Sequence, residues 1–156
     1  ATYASAGENN EGSSALGLVY TGIEGLTVSL GTGNDNSTAA VDADYTTMKA
    51  SYVYGSITAA ISASEYDHTT AANDQEVKSW GLTYTVTDDI SVSYGQETIE
   101  NNTDTADIEV DGITASYTSG GMTVSAKKVS ADNFDGSSTG VNNDRSMFKL
   151  AASFAF

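Results

Sequence analysis

Apolar residues recur at every second position, in segment after segment of the chain. Leu16, Leu18 and Tyr20 alternate with Gly17, Val19 and Thr21, and Leu26, Val28 and Leu30 alternate with Thr27, Ser29 and Gly31. Met48, Ala50, Tyr52 and Tyr54 line one side of the next run, with Thr47, Lys49, Ser51 and Val53 on the other. The same alternation continues through residues 57–63, 80–86, 90–94, 113–117, 122–126 and 148–156. A period of two in segments rich in Val, Ile, Thr and Tyr marks strands with two chemically different faces. No helical stripe of useful length interrupts it. The sequence predicts an all-β chain.

The connections come in two alternating kinds. Short turns at residues 22–25, 55–56, 87–89 and 119–121 join consecutive strands as tight hairpins. Long polar stretches at about 33–44, 67–75, 101–107 and 132–144 separate those hairpins. Four such rounds and a last strand at 145–156 give nine strands of roughly ten residues, preceded by residues 1–5 as the tail of a tenth. A meander of this kind sends all short turns to one end of a sheet and all long loops to the other. Charge follows the same division. Asp35, Asp42, Asp44, Asp67, Asp74, Asp104, Asp132, Asp135 and Asp144 fall in long loops or at strand ends, and Glu24, Asp88 and Asp89 in short turns.

Composition narrows the setting. Of 156 residues, 39% are apolar and 17% charged, against about 45–50% and 25% in an ordinary globular domain. Six basic side chains face 21 acidic ones, a formal charge of −15, which makes nucleic acid a poor partner. No apolar run exceeds three residues, so a transmembrane helix of about 20 is excluded. The absence of Cys excludes disulfides and thiolate metal sites and leaves the compartment open. No secretory leader stands at the start of the sequence.

Alternation alone fits two solvents. In a soluble β-sandwich the apolar face packs inward; in an outer-membrane barrel it meets lipid and the small polar face lines the interior. The strands are near the about 9–11 residues that a tilted crossing needs, rather than the about 5–6 of soluble strands. Tyr20, Tyr54, Tyr84 and Tyr117 each precede a short turn by one to three residues with the parity of the apolar face, as an aromatic ring at a membrane boundary requires. The opposite face is Ser, Thr, Gly and Ala, as in Ser91, Ser93, Gly95, Thr114 and Ser116, where an open soluble sheet shows Lys, Glu and Arg. A secreted β-sandwich adhesin or structural protein stays open as the alternative.

The closing strand is the most specific signal. Phe148, Leu150, Ala152, Phe154 and Phe156 alternate up to an aromatic last residue. This resembles the closing strand of Gram-negative outer-membrane barrels, and the loop pattern resembles the general diffusion porins. The resemblance implies an antiparallel up-and-down transmembrane β-barrel of about 16–18 strands, of which residues 1–156 are the carboxyl-terminal portion of a single domain. It further implies a passive diffusion channel for small hydrophilic solutes and ions in the bacterial outer membrane. Homotrimers, contact with lipid and lipopolysaccharide, and recognition of Phe156 by the barrel-assembly machinery are implied with it.

Catalytic chemistry has no foothold in the sequence. His68, beside Asp67 and Thr69, is read as a solvated loop histidine rather than part of a triad, and the chain is expected not to be an enzyme and to need no cofactor. The acid-dense stretches 65–67 and 104–111 match no calcium-loop spacing and read as solvated surface, able to share divalent ions with lipopolysaccharide. Residues 31–36 read as a turn rather than a phosphate cradle. The basic residues are more informative. Lys49, Lys127 and Lys149 carry the parity of the polar face, and Arg145 shares it at the outer end of the last strand. They predict a positive, pore-lining stripe that favours small anionic or zwitterionic solutes, with neutralisation of acids on a constriction loop outside this sequence as the alternative or added role. Glu109 and Asp111 break the pattern by sharing the parity of Ile113, and a bulge or strand end near Gly112 is expected to turn them away from lipid.

Overall fold

The structure is a computed structural model that describes residues 2–4, 13–38, 41–139 and 143–154. Ten strands lie in one sheet in chain order: β1 (Thr2–Ala4), β2 (Ser13–Ile23), β3 (Leu26–Thr38), β4 (Val41–Tyr54), β5 (Ile57–His68), β6 (Gln75–Thr87), β7 (Ile90–Asn101), β8 (Ile108–Ser119), β9 (Met122–Asp132) and β10 (Arg145–Phe154). Each strand pairs antiparallel with the next, and β1 and β10 form the two edges of the sheet. This is an up-and-down all-β meander, here an open curved wall. One of its two-residue turns is glycine at both central positions: Ser119 stands opposite Met122, and Gly120 and Gly121 between them take φ of 57 and 81. Two successive positive φ values suit the right-handed twist of a two-residue hairpin.

Two of the four expected long loops differ. Within the stretch 33–44 the described residues 33–38 and 41–44 are strand rather than loop, because β3 runs to Thr38 and β4 begins at Val41, with Asn34 opposite Asp44. Residues 31–36, expected as a turn, therefore lie within β3. Asn and Asp are weak strand formers, but here they extend a ladder already set by Leu26–Leu30, and paired backbone groups outweigh the local preference. In the same way β5 continues to His68, and only a 3-10 turn at Ala71–Asn73 separates it from β6. The connections after β7 and β9 are loops as expected.

The sheet is one layer thick, and its two faces differ in curvature. Leu18 is 63% exposed and Leu150 68%, and every other long strand except β9 also carries exposed large apolar side chains. Ser79, Gly81, Thr83, Ser93 and Thr114 on the other face are half-buried although no second layer covers them. Small residues shielded only by their own neighbours define the concave side, and the apolar residues define the convex one. Among the described residues the buried apolar side chains are Ala43 and Ala131, so no protein core lies under the apolar face.

Register gives the tilt of the strands. Val28, Ala50, Ile61, Trp80, Gln96, Asp111 and Ser130 stand opposite one another on successive strands. From that row Leu26 ends its ladder two residues nearer the short turns, whereas Met122 does so eight residues nearer. The turns thus step by about one residue per strand. With about 3.3 Å per residue and 4.8 Å between strands, the strands lean about 35° from the barrel axis, within the range of membrane barrels.

Corrected for that lean, Tyr20, Tyr52, Tyr84, Tyr117 and Phe154 share one level, with Tyr54 two residues lower. Four residues above each of the five stands Leu16, Met48, Trp80, Ile113 or Leu150, the upper limit of a continuous apolar belt. Two residues higher the convex face carries Ser14, Thr46, Lys78 and Asp111, with Phe148 the exception.

The expected bulge at Gly112 is absent. The β7–β8 and β8–β9 ladders run through Gly112 and Asp111 without a shift in register. Asp111 does share the face of Ile113, but the tilt raises it above the apolar belt, to the level of Lys78 and Thr46. The parity was read correctly. The height was not, because height depends on a stagger between strands that one strand alone does not display.

Candidate functional site: the concave wall

Hydroxyl groups lace the concave face from strand to strand. Thr47 and Ser64 are 3.1 Å apart, Ser62 and Ser79 2.7 Å, Thr83 and Ser93 2.9 Å, Ser91 and Ser116 2.7 Å, and Thr118 and Thr123 3.0 Å. Each pair joins residues directly opposite in the ladder. Such cross-strand pairs are worth about 0.2–1 kcal/mol each. They let a polar wall satisfy itself while leaving hydroxyl lone pairs for water and solutes.

The same register puts four of the six basic side chains on this face. Lys49 stands between Ser29 and Ser62. Lys127 stands between Thr114 and Lys149, so two ammonium-bearing residues are direct cross-strand neighbours. Arg145 lies opposite Ala131 at the upper end of the face, with its guanidinium carbon 4.4 Å from the centre of the Phe134 ring. That cation–π contact fixes Arg145 at the rim. Of the carboxylates carried by β4–β10, Glu97 is the one turned to this face, in the row of Lys49 and Arg145.

The other acids of β4–β10 crowd the convex face above the belt. There Asp44 opposes Asp67, Glu65 opposes Glu76, Glu76 opposes Glu100, and Glu109 opposes Asp132. The ion pair found among the described residues also lies there, from Lys78 Nζ to Glu76 Oε2 at 2.7 Å. The wall is therefore sorted by charge, cationic within and anionic without.

The acid-rich loops are stitched into a rim. Asn102 donates its backbone N–H to Asp74 O and its side-chain amide to Ala71 O, and the N–H groups of Thr105 and Ala106 both reach Gly136 O. Asn133 Nδ2 donates to Asp107 O at 3.1 Å, and Asn143 Nδ2 donates to Ser137 O. His68 ends β5 half-buried, where the expectation was a solvated loop, and its Nδ1 accepts the N–H of Thr70 at 2.9 Å. That bond holds the turn that follows β5. Among the described residues no three His, Cys, Asp or Glu side chains converge as a metal site. Phe156 lies outside the described residues.

Two features of the wall escape a strand-by-strand reading. Ala60, Gly81, Gly95 and Gly112 stand opposite one another, leaving a shallow trough across four strands, with Lys127 on one bank and Glu97 on the other. The belt also repeats a short motif on alternate strands: LGLVY at 16–20, MKASY at 48–52, WGLTY at 80–84, ITASY at 113–117 and LAASF at 150–154. The recurrence every 32–37 residues is visible in the sequence to a search for period; the trough is not, since it exists only in register.

No protein-family profile and no curated protein matches the chain. Solved structures do. Three structures of OmpT, an outer membrane protein of Vibrio cholerae, align with 92% of the chain at 19% identity: an in-vitro folded form (TM-score 0.66), a form lacking loop L8 (0.64) and an outer-membrane expressed form (0.63). The chain spans just over half of their length, 53–56%. At this identity the likeness is one of fold, and the fold is that of an outer-membrane β-barrel protein.

Proposed function

We propose that this chain forms the carboxyl-terminal part of a passive diffusion channel in the bacterial outer membrane. One observation carries the reading: a single-layer wall whose large apolar side chains are open on the convex face and whose small polar ones are sheltered on the concave face. Only lipid outside and water inside satisfy both faces at once. A soluble sandwich would have to cover Leu18, Leu82 and Leu150 with a second layer, and the adhesin reading is disfavoured for that reason. Solutes pass by size and charge, and no bond is made or broken. Lys49, Lys127, Lys149 and Arg145 line the pore and favour anions locally. The assembled form is a homotrimer in contact with lipopolysaccharide, with Phe156 as the signal for the assembly machinery.

Reversal potentials across a planar bilayer under a KCl gradient test the pore-lining role in the full-length protein. Lys49→Glu and Lys127→Glu are each expected to shift selectivity toward K⁺. Unchanged selectivity in both would remove these side chains from the permeation path.

A further inference from the structure

We infer that the wall of β9 and β10 holds a binding site for small organic anions that carry an apolar tail. The inference rests on the channel reading and deepens it.

The charge at the site is concentrated and unspent. Lys127 and Lys149 are directly opposed on adjacent strands, with Cβ atoms about 5 Å apart, a pairing that is unfavourable for like charges. Both are exposed, and no carboxylate among the described residues is within ion-pairing distance of either. Glu97, the one carboxylate of β4–β10 on this face, is on β7, two strands away. An anion placed between the two ammonium groups relieves their repulsion and is held by both.

The row directly above the lysines is apolar. Val129 faces Met147 there, and in the row beyond come Val110 and Ala131, with Arg145 opposite Ala131 on β10. Gly112, beside Val129, adds no side chain to cover that residue, which is half-buried. A hydroxyl-lined face interrupted by a Val–Met pair leaves apolar surface in contact with lumen water unless a solute covers it. The two rows are two residues apart, about 7 Å along the strand. A straight chain of five or six carbons spans that distance, so the site matches an alkyl carboxylate with its head at the lysines and its tail against Val129 and Met147.

Single-channel recording on the full-length protein tests this with hexanoate, acetate and hexyltrimethylammonium as probes. Hexanoate is expected to interrupt the current at concentrations at least about fivefold below acetate, and hexyltrimethylammonium to have no such effect. Lys127→Gln/Lys149→Gln is expected to raise the half-blocking hexanoate concentration about tenfold, whereas Lys127→Arg/Lys149→Arg keeps the block. Val129→Thr/Met147→Asn is expected to bring hexanoate down to the level of acetate and to leave acetate unchanged. Open channels that treat hexanoate and acetate alike, or a block indifferent to the Gln pair, would overturn the site and leave the channel standing. Absence of any conducting step would overturn both.

Discussion

Gly120 and Lys127 show how far one residue can be read by itself. The sequence marks Gly120 as a turn residue, and the backbone adds why: its φ is 57, and a Cβ built there would have no atom within 4 Å. A substitution therefore meets backbone strain alone. Gly120→Ala is expected to cost about 1 kcal/mol, and Gly120→Asn, which tolerates the left-handed region, nearly nothing. Urea titration of the full-length protein folded into vesicles measures both; a larger loss with Asn than with Ala would contradict the strain account. Lys127 is legible in a weaker sense. Parity assigns it a face, but that its neighbour across the ladder is Lys149, and that Val129 and Met147 sit above, follows only from the pairing of β9 with β10.

At the scale of the strand, alternation fixes faces well and heights poorly. Leu82 and Thr83 are adjacent in β6, one half-way up the apolar belt and the other bonded to Ser93 across the concave wall. Leu82→Arg is expected to destabilise the folded protein by about 2–4 kcal/mol, the cost of a guanidinium near the bilayer midplane. Thr83→Arg puts the same group into the aqueous interior, and its expected cost is below about 1 kcal/mol. The same titration reads the difference, and equal costs would mean that the two faces see the same solvent. Asp111 shows what alternation lacks. Its parity places it with Ile113, and only the lean of the ladder lifts it clear of the belt, a property of nine pairings together. The strand extensions around Asn34 and His68 were hidden for a related reason: their residues are poor strand formers, and the partner that recruits them is not adjacent in the sequence.

Across the whole wall, charge is the organising quantity. A formal charge of −15 is carried largely by carboxylates at the rim and on the convex face above the belt, where acid opposes acid in four adjacent pairs. Exposed like charges repel, and salt screens them within about 10 Å at 0.1 M. The thermal midpoint of the detergent-folded full-length protein is therefore expected to rise as NaCl increases from about 20 to 300 mM. A midpoint that falls over this range would show that attractive pairs, rather than these repulsive ones, dominate the rim. The sequence reading placed the acids in loops, short turns and strand ends; it did not reveal that they oppose one another, because opposition is a matter of register.

The belt motif recurs once per hairpin, each copy carries its own boundary aromatic and outward apolar residues, and four of the five carry an inward hydroxyl. A wall assembled from such self-sufficient pieces contacts only its neighbours, as in solenoids. Growth or loss by two strands at a time keeps inside and outside in place and alters only circumference, whereas a single inserted strand would send every following loop to the wrong side. Bore width is thus free to drift in evolution by duplication of a unit of some thirty-odd residues, with no new solution needed for the membrane.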